Sequence, residues 1–304
     1  MNDDPIARAA LIHYGLAVAQ LTLIHHANNA VYRVHAGTHH YALRIHRRGL
    51  KRLAWIRSEL HWLNALRMAD FRVPMPAAPL YQDGENYAVL FHWHSGSVAQ
   101  LTDITPERAY QIGGFAARLH AHVWTPPADF ERPRLDAEGL FGAQSPYQST
   151  TEDALINPSQ REIIHQAETV IRAHLVDLDT RPDSFGLIHG DLIPKNLIFD
   201  GDQVIALDFD DCGFGYYLYD LAPLLWFMRD QPDYPVIRAA LVEGYRSIRP
   251  EIYAPAAALD SLIAARHIAS IRWIAGHAAM REQAPQIIAE RITRLTDFIT
   301  LGSG

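Results

Sequence analysis

The sequence predicts an α+β chain in two parts: a small N-terminal lobe built on an antiparallel sheet with one prominent helix, and a larger, mainly helical C-terminal lobe. Three observations lead there. Residues 20–26, 30–36 and 39–45 alternate or carry β-branched and aromatic residues, with Asn28-Asn29 and Gly37-Thr38 as breakers between them, the pattern of consecutive antiparallel strands. Residues 54–69 change to helical spacing, with Ile56, Leu60, Leu63 and Leu66 apolar and Glu59 among them. From Gly96 onward helical spacing dominates.

In chain order, Asp4-Pro5 reads as an N-cap followed by a first-turn proline, opening a short helix that runs through Tyr14 and stops at Gly15. The three strands and the 54–69 helix follow. Residues 73–79 are a proline-broken link, and 87–91 reads as a further strand. Thr105-Pro106-Glu107 starts a helix running to about His122, and another covers roughly 160–178. A β interlude comes next, then four helical stretches punctuated near Pro232, Pro250, Pro255 and Pro285. The expected division is residues 1–95 and 96–304, joined by a link near 92–97.

Composition bounds the class. The chain has 304 residues, 49% hydrophobic and 20% charged, which excludes a disulfide-stapled module or a largely disordered chain. Its formal net charge is -7, and only Lys51 and Lys195 among 27 Lys and Arg residues are lysines, so no polybasic face for nucleic acid is expected. Cys212 is alone, which denies an intramolecular disulfide and fits a reducing cytoplasm. The acidic start Met-Asn-Asp-Asp-Pro is unlike a basic signal peptide, and apolar runs such as 221–228 are too short to span a bilayer, so neither export nor membrane insertion is expected.

The stretch that carries chemistry is residues 186–211. Strands at 196–199 and 203–207 flank the turn signal Asp200-Gly201-Asp202, and a hairpin centred there sets Asn196 almost opposite Asp208. An amide oxygen and a carboxylate at one hairpin end make a hard-oxygen site suited to Mg²⁺, which accepts few protein ligands and fills the rest with water and phosphate. Asp191 precedes Asn196 by five residues, the spacing of the phosphoryl-transfer template. There an Asp takes the acceptor's proton, and an Asn and a downstream Asp hold metal.

With His189-Gly190-Asp191 through Asn196, Leu207-Asp208-Phe209, Gly213-Phe214-Gly215 and Tyr219-Asp220-Leu221-Ala222, the chain resembles the aminoglycoside phosphotransferase and choline kinase superfamily. The resemblance covers about residues 21–225 and implies a bilobal protein-kinase-like fold that uses ATP and Mg²⁺. It implies Asp191 as catalytic base and Asn196 and Asp208 as metal ligands. It also asks for a strand cation and a helix carboxylate upstream, and Arg44 and Glu59 stand where these belong. Asn28-Asn29 takes the place of the glycine-rich loop over the phosphates, and Phe91, His92 and Trp93 fall at the link that would hold adenine. His189 and Asp220 are expected to support the loop. Asp210 and Asp211 read equally as acceptor or second-metal contacts and as solvated or capping residues.

The expected activity is transfer of the γ-phosphate of Mg-ATP to a hydroxyl of a small molecule. Net negative charge and the aromatics Trp226, Phe227, Tyr245 and Trp273 favour an amine such as an aminoglycoside, choline or an amino alcohol, with homoserine-like acceptors open. At helical spacing the same aromatics also read as core. A serine/threonine protein kinase of the stress-response type and a nucleotide-binding pseudokinase are the alternatives. Seventeen histidines and the pair His92-x-His94 lack the third ligand that a zinc site needs.

Overall fold

The computed structural model describes residues 5–26, 29–142, 145–147, 155–179, 181, 183–252, 255–276 and 282–302. The chain forms two compact units. The first is Met1–Ser97 with Val123–Arg132 and Ile205–Asp210, and the second is Val98–His122, Pro133–Val204 and Asp211–Gly304.

The first unit is a five-stranded antiparallel sheet in the order β1-β2-β3-β5-β4, made by Gln20–His26 (β1), Asn29–Ala36 (β2), His39–His46 (β3), Tyr81–Asp83 (β4) and Asn86–His92 (β5). Register follows the turn chemistry. Gly37, at φ +62°, closes the β2–β3 hairpin and pairs Ala36 with His39 and Val31 with Arg44. Side chains alternate across a strand, so Leu43 and Ile45 join Ala7, Leu11, Val34 and Leu90 in a core beneath helix α1 (Pro5–His13), while Arg44 is turned to the other face. That face meets helix α2 (Leu53–Met68), which buries Ile56, Glu59, Trp62, Leu63 and Leu66. Strand β1 lies at the sheet edge and is mostly exposed, so its alternation reports pairing with β2 rather than burial of a face. The three-residue β4 is too short to show in the sequence pattern.

The second unit is helical around small β elements. Its helices are α3 (Pro106–Ala121), α4 (Ala137–Phe141), α5 (Pro158–Asp179), α6 (Ala222–Met228), α7 (Tyr234–Arg246), α8 (Ala256–Gly276) and α9 (Ala284–Gly302). Thr105 caps α3 by accepting the Arg108 N–H, with Pro106 at the first helical position. Helices α3 and α7 cross at glycines: a Cβ on Gly113 would lie 2.0 Å from the Leu241 carbonyl oxygen, and one on Gly244 would lie 2.0 Å from that of Tyr110. The β interlude is a three-stranded sheet of Arg134–Leu135 (β6), Gly213–Tyr216 (β10) and Phe185–Ile188 (β7). Leu197–Asp200 (β8) and Gln203–Ala206 (β9) pair as the hairpin expected around Gly201, whose φ is +58°. No helix among the described residues is long and apolar enough to cross a membrane.

Candidate active site

Two groups of the sequence-derived residues assemble, one in each unit. In the first unit Arg44 is 5% exposed, and its guanidinium donates to Glu59 Oε2 at 2.6 Å and to Asp208 Oδ1 at 3.4 Å. Burial alone would lower the pKa of Arg44, but the carboxylates of Glu59, Asp210 and Asp208 more than offset it and hold the group firmly charged. Phe91 lies on β5 with its ring 5.1 Å from the Arg44 guanidinium carbon. Trp62, three residues beyond Glu59 on α2, meets the ring of Phe209 edge-on at 5.3 Å, so one helix face positions both the Arg44 partner and the turn after Asp208. Asp208 itself adopts φ +57°, a left-handed conformation that Asp tolerates better than most residues, and its side chain is half exposed.

Asp210 is the ion-pair hub of this unit and is buried, which overturns the solvated reading of that position. It faces Lys51 Nζ at 3.3 Å, and its backbone carbonyl accepts from Lys51 and Arg132. Burial would raise its pKa, but Lys51, Arg44, His46 and Arg132 hold the carboxyl well below the usual range. Asn29, the first residue of β2, donates its amide to Asp210 Oδ2 at 3.1 Å, so that side chain is committed to the hub. Asn28 lies outside the described residues. Trp93 follows β5, where the Arg33 guanidinium carbon sits 4.6 Å from its ring centroid and its backbone N–H donates to the His40 carbonyl at 3.2 Å. His94 bonds the Val73 carbonyl at 3.2 Å, and no group of three His, Cys, Asp or Glu able to hold a metal occurs among the described residues.

In the second unit, the loop 189–196 is pinned from below by Asp220, which is fully buried. Its Oδ2 accepts the His189 N–H at 2.8 Å and its Oδ1 the Gly190 N–H at 2.6 Å. His120 Nε2 lies 2.9 Å from Asp220 Oδ2, and His120 Nδ1 lies 2.8 Å from the Tyr245 hydroxyl. Burial lowers the His120 pKa despite Asp220, so the neutral ring donates to the carboxylate and accepts from tyrosine. Gly190 has φ +84°, and a Cβ there would lie 2.7 Å from the Asp211 carbonyl oxygen, so glycine is required twice over. On this support, the Asn196 amide donates to both Asp191 Oδ2 and the Asp191 carbonyl at 2.9 Å. With the amide nitrogen so engaged, the Asn196 oxygen is the atom left for a cation.

Sequence reasoning missed Arg266, on α8, whose guanidinium is ion-paired with Asp191 Oδ1. The two residues are 75 positions apart, and nothing local distinguishes Arg266 from the other arginines of the chain. Of the aromatics Trp226, Phe227, Tyr245 and Trp273, three have described surroundings. Tyr245 is buried against His120, Trp226 donates to His267 Nδ1 at 3.0 Å, and Phe227 is partly exposed. Cys212 is buried.

Residues 20–259 match the model of the phosphotransferase enzyme family, and the chain belongs to that family. A homoserine kinase of Gluconobacter oxydans (strain 621H) is 40% identical over 165 residues, which is 53% of this chain and 51% of that protein. A microcompartment-associated aminopropanol kinase of known structure superposes with a TM-score of 0.81 at 29% identity, over 98% of this chain and 96% of its own. An amicoumacin kinase solved with AMP-PNP and Ca²⁺ shares the fold, with a TM-score of 0.72 at 17% identity over 97% of this chain and 96% of its own. Fold and family define the activity class as ATP-dependent phosphoryl transfer to a hydroxyl group of a small molecule.

Proposed function

We propose that the protein is a kinase of small hydroxyl-bearing metabolites in which Asp191 orients the acceptor hydroxyl and takes its proton. The observation that supports this best is the loop itself: a carboxylate and an amide are bonded to each other on a backbone held by buried Asp220. Arg44, fixed by Glu59, is the clamp on the nucleotide phosphates, a task suited to a guanidinium that keeps its charge and binds oxyanions in a fork. Phe91 and Trp93 mark the adenine side. Asn196 and Asp208 are the donors for Mg²⁺: one contributes an amide oxygen, the other a half-exposed carboxylate, and hard oxygens of this kind fit that ion. When bound, Mg²⁺ neutralises charge on the β- and γ-phosphates. The rest of the rate comes from positioning, with no covalent intermediate.

The acceptors of the relatives, an amino alcohol in one and a hydroxy amino acid in another, define the range in which the acceptor of this chain is sought. The roles are separated by titrating nucleotide into two variants. Asp208→Ala is expected to lose Mg-dependent ATP binding, whereas Asp191→Ala keeps it while turnover falls by about 10²–10⁴-fold. Equal loss of nucleotide affinity in both would contradict the assignment.

A further inference from the structure

The acceptor side of the catalytic loop is marked by a cation. Arg266 projects from α8 to Asp191, and both side chains are largely buried, at 13% and 12% exposed. Only part of the guanidinium is used by this pair: its Nε is buried and has no hydrogen-bond partner. A buried charged donor without a partner is costly, and the fork of a guanidinium matches the two oxygens of a carboxylate. The surroundings keep Arg266 in place and charged. Trp226 lies with its ring centroid 5.5 Å from the guanidinium carbon, and burial, which would weaken the charge, is outweighed by Asp191, Tyr219, Tyr147 and Asp211.

The field extends beyond one residue. Arg291 lies over the same Trp226 ring at 4.7 Å, and Arg291, Arg229, Arg294 and Arg266 add to burial in driving His267 to its neutral form. Some of this charge is answered, since Arg294 pairs with Asp230 and Arg291 with Glu290. The net charge of -7 for the whole chain, which favours a cationic acceptor, is a property of the entire surface. At Asp191 the nearest charged partner is a guanidinium, and that local field decides which acceptor is desolvated there without repulsion.

We infer that the acceptor is a hydroxy acid, its carboxylate held by Arg266 while its hydroxyl is presented to Asp191. This rests on the kinase reading of the site and names the substrate class. In the acceptor-free protein Asp191 serves as the counter-ion of Arg266. The incoming carboxylate takes over the guanidinium and leaves Asp191 to the hydroxyl. Arg266 is therefore a specificity-determining residue.

The test compares acceptors that differ only by the carboxylate, such as homoserine with 3-aminopropan-1-ol and serine with ethanolamine, by Mg-ATP-dependent phosphate transfer. The wild type is expected to favour the acid of the productive pair by about 10–100-fold in kcat/KM, the scale of a charge-assisted bond inside a site. In Arg266→Gln that ratio falls towards one while Mg-ATP affinity is kept. Arg266→Lys, which retains the charge without the fork, gives an intermediate ratio and serves as the second variant if the first does not fold. A wild-type preference for the amine lacking the carboxylate, or a ratio unmoved in both variants, overturns the inference and leaves the kinase reading standing. Absence of Mg-ATP binding and of transfer to any member of the pairs overturns that reading and the inference with it.

Discussion

Asp220→Asn isolates what holds the catalytic loop. The carboxylate is fully buried and accepts three hydrogen bonds, from His189 N and His120 Nε2 on one oxygen and from Gly190 N on the other. An asparagine can place its single oxygen at one of these two positions. The better choice keeps His189 and His120, and it turns an NH₂ group onto the Gly190 N–H across a gap that is now 2.6 Å. One buried donor then faces another, at a cost of about 1–3 kcal/mol. The two retained bonds lose their charge assistance, roughly 0.5–1 kcal/mol each. The sum is about 2–5 kcal/mol, read as a lowered midpoint in urea denaturation and a Tm lower by roughly 6–12 °C at 3 kcal/mol. Because Asp191 follows Gly190, displacement of the loop costs about 10²-fold in kcat with Mg-ATP affinity unchanged. A variant within about 0.5 kcal/mol of wild type, the range of an indifferent surface change, would refute the bracing role.

Other perturbations follow from the same geometry. Glu59→Gln keeps a hydrogen bond to Arg44 but removes the carboxylate nearest that buried cation, so stability falls by about 1–3 kcal/mol and nucleotide affinity by roughly tenfold. Isothermal titration with Mg-ATP checks this, and unaltered affinity would contradict the clamp. His46 is 2% exposed, and burial followed by the Arg44 cation pushes its pKa down to about 3. The unfolded chain therefore takes up a proton below about pH 6.5 that the folded protein refuses, and stability drops as pH falls from there, by about 2 kcal/mol at pH 5. His120 and His267 shift in the same direction. Denaturation at pH 7.5 and 5.0 measures the slope, and His46→Leu is expected to flatten it. A protein equally stable at both values would contradict the burial of a neutral imidazole.

Local signals made much of this fold legible. The β2–β3 hairpin and the hairpin around Gly201 carry their own turn chemistry, and α2 its helical spacing of apolar residues; each forms, as does α1, whose N-cap candidate Asp4 lies outside the described residues. Of the candidate site, the order of His189, Asp191, Asn196 and Asp208 could be read because their spacing is local, and the Arg44–Glu59 pair because the family resemblance asks for a strand cation and a helix carboxylate at those places. Arg266 and the Asp210 hub could not. Asp210 meets Lys51 and Arg132 across 159 and 78 positions, and such pairs depend on packing rather than on any local pattern. The two-residue β6 and three-residue β4 exist only through their partners, so they leave no periodicity to detect. Net charge sums the whole surface, so it carries no information about the guanidinium beside Asp191.

The central claim is phosphoryl transfer to a hydroxyl with Asp191 as base. The most direct measurement is Mg-dependent ADP release by wild type and Asp191→Asn across a panel of hydroxy amino acids, amino alcohols, aminoglycosides and sugars. Stimulation by an acceptor in the wild type, lost by about 10²–10⁴-fold in the variant, is the predicted result. Acceptor-stimulated release that persists undiminished in Asp191→Asn would contradict it.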